Sequence, residues 1–173
     1  MNKKLIIALF LFGSLFTFQD AIAQIKIGYA NPARVLSSLP EVEEVDQQIQ
    51  ALIEQSDEEL AAKATELQSV FTNYESNMNN LSEQERVTRE EELMEMNQQF
   101  EQDRESMMNN IRQRRSELMT PIIEKMNNAM EEIAAEMELD LILNEGTSTG
   151  DAIVFFANSE ELDITDRIIE RIQ

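Results

Sequence analysis

The stretch Asn77-Met78-Asn79-Asn80 decides the fold of this 173-residue chain, because it lies midway between two prolines. Pro40 precedes this polar stretch and Pro121 follows it at nearly equal distances along the sequence. Proline is disfavoured inside a helix, since its ring removes a hydrogen bond and crowds the preceding turn. The arrangement therefore predicts a long antiparallel helical hairpin, whose arms would reach on the order of 60 Å at ~1.5 Å per residue.

Both arms have the apolar periodicity and the start signals of long helices. Residues 41–77 contain neither glycine nor proline, and their apolar residues recur mostly at intervals of three and four. Ser56 and Lys63 interrupt this stripe, which predicts a loosely packed seam in the middle of the first arm. The segments 38–41 and 82–85 both have the serine-to-glutamate spacing of a capping box, one at the start of each arm. The second stripe continues through the second proline, where we expect a kink.

The segments outside the arms predict a small body of three strands and two short helices. Alternating apolar residues at 25–29 and 139–143 indicate half-buried strands. The apolar run 152–157 indicates a central strand that is buried on both faces. Helices are predicted over 32–37, after an asparagine–proline helix start, and over 164–172. The fold class is therefore α+β, a small β-rich association body into which a long helical hairpin is inserted.

The first 23 residues have the features of a signal peptide. Lysines precede an apolar run, and the small residues Ala21 and Ala23 follow it as a cleavage site. The run is shorter than the roughly 20 residues that a membrane-spanning helix needs. We therefore expect residues 1–23 to direct export and the mature chain to begin near Gln24. The chain has no cysteine, so it would enter an oxidising space without disulfides.

The mature chain is predicted to divide into a body and an arm. Residues 24–40 and 121–173 form the body, and residues 41–120 form the arm, with its tip near 77–82. A body of roughly 65 residues is close to the lower limit for a self-sufficient core, and its small sheet has open edges. Self-association is therefore expected. The candidate association residues are Ile27, Tyr29, Leu141, Leu143, Ile153 and Phe155.

Composition argues against several classes of function. Without the leader, 12 basic and 33 acidic residues remain, a net charge of −21 that disfavours binding to nucleic acid and to anionic lipid. The chain has no histidine and no cysteine, so the commonest general base, the thiol nucleophile and the soft metal ligands are missing. We therefore predict no enzymatic activity, no metal site and no cofactor.

Methionine indicates an adaptable apolar surface. Nine of the ten methionines lie between Met78 and Met137, and their flexible thioethers suit irregular apolar partners. The last three continue the apolar stripe of the second arm and are predicted to belong to the core. Met94 and Met96 cannot both face the partner helix, because positions two apart point in nearly opposite directions. The candidate binding residues near the tip are Phe71, Tyr74, Met78, Met94, Met96 and Phe100.

The two ends of the mature chain resemble the OmpH/Skp family of periplasmic chaperones. The matching stretches are Ile27-Gly28-Tyr29 through Val35-Leu36 to Pro40-Glu41, and Leu162-Asp163-Ile164-Thr165-Asp166 with the isoleucine-rich helix that follows. The order of the elements matches over the whole mature chain. The resemblance implies a periplasmic homotrimer, whose β-rich hub carries three helical arms around a cavity and which is not stably inserted in the membrane. It also implies ATP-independent holding of unfolded outer-membrane β-barrel proteins, which prevents their aggregation and would engage the candidate binding residues.

The net charge departs from the best-known members of that family, which are basic. At −21, client binding would depend on apolar and methionine contacts rather than on a positive charge. A second hypothesis is a coiled-coil spacer or adaptor of the cell envelope that docks one folded partner. A spacer should have a continuous, well-packed seam and a rigid tip, so the packing between the arms distinguishes the two hypotheses.

Overall fold

The computed structural model of the protein describes residues 25–147 and 149–173. The predicted signal peptide, residues 1–23, lies outside the described residues. In chain order the elements are β1 (Ile27–Ala30), α1 (Pro32–Ser37), α2 (Pro40–Asn77), a 3-10 turn (Met78–Asn80), α3 (Glu83–Met137), β2 (Leu141–Asn144), a second 3-10 turn (Glu160–Leu162) and α4 (Thr165–Ile172). This architecture confirms the predicted α+β fold class with an inserted helical hairpin.

The two helices of the hairpin differ in length, with 38 residues in α2 and 55 in α3. Pro40 lies in the first turn of α2, where the missing N–H would have had no partner in the helix. Pro121 lies inside α3, which continues past it to Met137, as the uninterrupted stripe predicted. The second proline is therefore not a helix break, and α3 extends from the tip of the arm into the body.

Side-chain caps form at two of the predicted helix starts. The side-chain oxygen of Asn31 accepts a hydrogen bond from the backbone N–H of Arg34 at 2.9 Å and begins α1. Ser82 and Glu85 form the reciprocal capping box that begins α3. At the tip of the hairpin, the start of α3 is thus defined by hydrogen bonds between residues close in sequence.

The capping box predicted over residues 38–41 does not form, so that prediction is wrong. The N-cap of α2 is Leu39, which makes no side-chain hydrogen bond. Ser38 instead donates its hydroxyl to the carbonyl of Val35 at 2.7 Å, at the end of α1. Glu41 accepts from Lys125 of α3 at 2.8 Å. Both side chains of the predicted box are therefore engaged elsewhere.

The body contains a two-stranded parallel sheet with one buried face. Ile27 pairs with Leu141 at one end of the register and Ala30 with Asn144 at the other. Gly28 and Ala30 are buried against the core. A Cβ atom on Gly28 would lie 2.8 Å from a methyl carbon of Leu139, so a larger residue here would have to displace that leucine side chain.

The third predicted strand, over residues 152–157, is not a strand in the described chain, and this prediction is wrong. Ala152 makes an isolated bridge with Gly146, and the rest of the run is irregular. The side chains of Phe155 and Phe156 are 89% and 83% exposed. An apolar run indicates a tendency to be buried, but none of the described elements of this single chain covers it.

The core lies where the base of the hairpin meets the body. Ile133 of α3 and Ile168 of α4 are at its centre, with 1% and 0% of their surface exposed. The buried apolar residues are Ala30, Val35, Leu39, Val45, Ile49, Ile122, Met126, Ala129, Ile133, Ile164, Ile168 and Ile172. The core role predicted for the last methionines is confirmed, since Met126 is buried and Met130 and Met137 pack against the cluster.

Candidate functional site

The two arms are tightly packed near the body and loosely packed beyond it. Val45 and Ile49 of α2 are buried near the base of the hairpin, where they belong to the same core as Ile122 of α3. Ser56 is 7% exposed, so the seam remains closed at the first position where we predicted it to loosen. In the described stretch 57–121, by contrast, no residue is buried. The loosening therefore begins after Ser56 and extends to the tip.

Polar contacts join the arms within this loose stretch. Lys63 of α2 forms an ion pair with Asp103 of α3, at the second interruption of the predicted stripe. The hydrogen bond from Lys63, together with one from Gln99, holds the pKa of Asp103 below its ordinary value. Both partners of the pair are partly exposed, so it contributes little to stability. It joins the two arms at this level by a polar contact rather than by packed apolar side chains.

An apolar groove lies between the arms on the tip side of this ion pair. Its volume is about 640 Å³. Four of the six predicted binding residues line it, namely Phe71, Tyr74, Met94 and Phe100. Met78 lies outside the groove at the tip turn, and Met96 also does not line it. Met94 is 71% exposed and Met96 half-buried, which confirms that the two do not share one environment.

Further lining residues were absent from the predicted binding set. Leu67 and Leu93 extend the apolar floor, and Glu90 and Glu101 contribute carboxylates to the rim. The heptad spacing of Leu93 and Phe100 was a signal that could have identified Leu93. The two glutamates had no such signal, because they lie among many acidic residues of the same arm.

Tyr74 connects the floor of the groove to its rim. Its hydroxyl donates a hydrogen bond to the carboxylate of Glu90 across the two arms, at 2.6 Å. This bond to a charged acceptor raises the pKa of Tyr74, and partial desolvation of the phenol adds to the effect. The tyrosine remains neutral at physiological pH and fixes one carboxylate at the edge of the groove.

The second candidate surface is the outer face of the sheet. Ile27 pairs with Leu141 and Tyr29 with Leu143, so these four predicted association residues share one face. Ile27 and Leu141 are 40% and 48% exposed, whereas Tyr29 and Leu143 are half-buried. The other two predicted association residues lie in the exposed run 152–157, where Ile153 is 47% exposed. The fold thus leaves a second apolar surface uncovered at the body.

Features of metal sites and membrane spans were not found in the described part of the chain. Residues 25–147 and 149–173 hold no group of three or more acidic residues placed to bind a metal ion. No helix in the same ranges is both long enough and apolar enough to cross a bilayer. What the described residues do present is two uncovered apolar surfaces, one on the arm and one on the body.

The fold is a long helical hairpin inserted into a small α+β body. A family model described as "Outer membrane protein (OmpH-like)" matches residues 26–172. Because this match covers most of the chain, the protein belongs to the OmpH-like family.

A solved structure has the same fold. It is the crystal structure of a protein from Caulobacter crescentus CB15 that is described as a candidate outer membrane chaperone (OmpH-like). The two chains are 14% identical, with a TM-score of 0.68 over 87% of this chain and 85% of the other. At this identity the likeness concerns the fold alone. No curated protein matches this chain.

Proposed function

We propose that the protein is an ATP-independent periplasmic holdase that binds unfolded outer-membrane β-barrel proteins between its arms and prevents their aggregation. Membership of the OmpH-like family supports a chaperone role. The observation that carries the proposal is the stretch 57–121, in which no residue is buried although an apolar groove runs between the helices. A coiled-coil spacer or adaptor that docks one folded partner should have a continuous, well-packed seam there, so the open seam argues against that alternative.

The groove has the properties that a holdase requires. An unfolded β-barrel protein carries alternating apolar residues and aggregates through unpaired strands. A shallow apolar floor accepts such side chains without requiring one sequence, and the exposed thioether of Met94 adapts to different shapes. Several weak contacts within one assembly together hold a client firmly, because each bound segment raises the effective concentration of the next.

The proposal includes export and assembly. Residues 1–23 would direct the chain to the periplasm, and residues 24–40 and 121–173 would form the association body of a homotrimer. The uncovered sheet face that contains Ile27 and Leu141 supports association through the body, as does the exposed Phe155. The number three comes from the family resemblance. The arms, residues 41–120, would then surround a shared cavity.

The test is an aggregation assay with an unfolded outer-membrane β-barrel protein. The client is diluted from denaturant with and without the mature chain, and light scattering is recorded. We expect suppression of scattering at a several-fold molar excess of the mature chain. A variant in which a short loop replaces the residues between Ser56 and Ile111 removes the loosely packed arms but keeps Val45 and Ile49 in the core. It should still assemble but should not protect the client.

Point variants test the groove itself. The double substitution Phe71→Ala and Met94→Ala removes apolar surface from the floor and should weaken protection. Ile123→Ala is the matched control, since Ile123 is an exposed apolar residue of α3 that lies outside the groove. Full protection by the variant without arms would contradict the proposal, as would equal protection by the double variant and the control.

A further inference from the structure

The groove between the arms combines an apolar floor with an acidic rim. The charged residues that line it are Glu90 and Glu101, and none of its described lining residues is lysine or arginine. Glu90 is held at the edge by the hydroxyl of Tyr74, which lies in the floor. A segment that enters the groove therefore meets apolar side chains in the centre and carboxylate oxygens at the boundary.

The basic residues nearest the groove neutralise only part of its acidic surroundings. The distal hairpin, residues 64–104, contains ten acidic and three basic residues. All three arginines form ion pairs along their own helix: Arg86 with Glu83, Arg89 with Glu92, and Arg104 with Glu101. The last pair partly neutralises one of the two rim carboxylates. Lys63, just outside this range, is paired with Asp103 across the arms. The remaining carboxylates leave this part of the molecule strongly negative. Over distances within the Debye length, roughly 8 Å at physiological salt, such a field acts on any charged segment that approaches the floor.

We propose that the groove selects client segments in which apolar side chains alternate with, or are flanked by, lysine or arginine. This inference rests on the proposed function, because it names the class of segment that the same groove binds. The apolar floor supplies contact that is independent of sequence, and the rim supplies the preference. Acidic segments with the same apolar pattern are rejected, because their carboxylates would lie beside Glu90 and Glu101. The acidic arm therefore acts as a charge filter on an otherwise permissive apolar surface.

The preference is tested with three labelled peptides of one length and one apolar pattern, which carry lysine, glutamine or glutamate at the polar positions. Binding to the whole mature chain, with its body and arms, is measured by fluorescence anisotropy. At low salt, the lysine peptide should bind on the order of tenfold more tightly than the glutamine peptide, and the glutamate peptide more weakly still. The difference should shrink at about 0.5 M NaCl, where the Debye length is only a few ångströms.

Two variants of equal net charge assign the preference to the groove. Glu90→Gln with Glu101→Gln neutralises the rim, and the side-chain amide introduced by the first substitution can still accept the hydrogen bond of Tyr74. Glu44→Gln with Glu58→Gln removes the same charge from exposed positions of α2 that do not line the groove. We expect the rim variant to lose most of the preference for the lysine peptide and the control to retain it.

The possible outcomes separate this inference from the holdase proposal. Equal binding of the three peptides, with aggregation still suppressed, would overturn the inference and leave the proposed function intact. An equal loss of preference in both variants would also overturn it, because the preference would then come from the total charge. If no peptide binds although aggregation is suppressed, the inference is also overturned and the proposed function remains. This result is expected when a second copy of the chain covers the groove. Failure of peptide binding and of aggregation suppression together would overturn both proposals.

Discussion

Two side chains at the tip of the hairpin determine where α3 begins. The backbone N–H of Ser82 donates to the carboxylate of Glu85 at 2.9 Å, and the hydroxyl of Ser82 donates to the same carboxylate at 2.6 Å. The hydrogen bond from the hydroxyl is the larger cause of a lowered pKa of Glu85, and the backbone bond is the smaller. Because the folded state favours ionised Glu85, this carboxylate stabilises the tip at neutral pH and loses that role in acid.

Replacing this serine tests the cap. In Ser82→Ala, the pKa of Glu85 should rise towards its ordinary value of 4.5, and amide exchange in the first turn of α3 should become faster. A carboxyl group with a lowered pKa contributes stability above its unfolded pKa and loses it as the pH falls through the folded pKa. The part of the stability difference that depends on ionised Glu85 should therefore be present at pH 7 and disappear as the pH falls through the lowered pKa of Glu85. The part due to the lost acceptor for the Glu85 N–H should remain at low pH.

The measurements for this prediction are a carboxyl titration by NMR and hydrogen exchange at several pH values. Ser76→Ala is the control, since the hydroxyl of Ser76 donates to a backbone carbonyl of its own helix. An unchanged titration of Glu85 in Ser82→Ala would show that the capping hydrogen bond is not the cause of the shift.

At the scale of single residues, the sequence predicts which side chains could cap a helix. It does not predict which other partners compete for their hydrogen bonds. Ser38 and Ser82 have the same spacing to a following glutamate, yet only Ser82 forms a capping box. Ser38 is also the C-cap of the preceding helix, and its hydroxyl bonds to Val35. Glu41 is paired with Lys125, which is distant in sequence. Such a long-range partner carries no local signal.

Helix α3 carries an interior proline at the junction of arm and body. Pro121 cannot donate to the carbonyl one turn earlier, so the helix has a weak point between its loose distal part and its buried proximal part. The buried positions of α3 begin immediately afterwards, at Ile122. The proline therefore marks the place where the helix changes from an open seam to a packed core.

Substituting this proline should stabilise the helix. In Pro121→Ala, the restored hydrogen bond should raise the free energy of unfolding by about 1–3 kcal/mol and slow amide exchange around the junction. Pro40→Ala is the control, because a proline in the first turn of a helix removes no intrahelical hydrogen bond. Chemical denaturation of both variants at one protein concentration measures the difference. An equal change in both variants would contradict the prediction.

The helices were predictable because their signals are local, whereas the third strand was not. A stripe of apolar residues spaced by three and four identifies α2 and α3 whatever they pack against. The apolar run 152–157 indicates only that the segment avoids water. Its state depends on a surface that this chain alone does not supply, and Phe155 and Phe156 remain exposed. The groove was predicted only in part. Its apolar floor follows the periodic stripe that the sequence shows, whereas its acidic rim has no periodic signal.

At the scale of the whole molecule, the uncovered face of the sheet predicts assembly. Leu141→Glu places a carboxylate on that face, and burying an unpaired charge against apolar side chains costs several kcal/mol. We expect this variant to sediment as a smaller species than the wild type while its helical circular dichroism is retained. Met108→Glu, at an exposed position on the arm, should sediment like the wild type. A wild type that sediments as a monomer would remove the basis of the prediction.

The continuity of α3 has a mechanical consequence. One end of this helix is fixed in the core and the other reaches the tip, on the order of 80 Å away for 55 residues. No loop interrupts that side of the arm, so the arm can widen there only by bending the helix, most easily at Pro121, where a hydrogen bond is missing. Bending a hydrogen-bonded helix costs free energy, so the arm should return to its original shape when the bending force is removed. A flexible loop has no such preferred shape. Distances between spin labels at the tips should therefore return to their starting distribution once a large client has left.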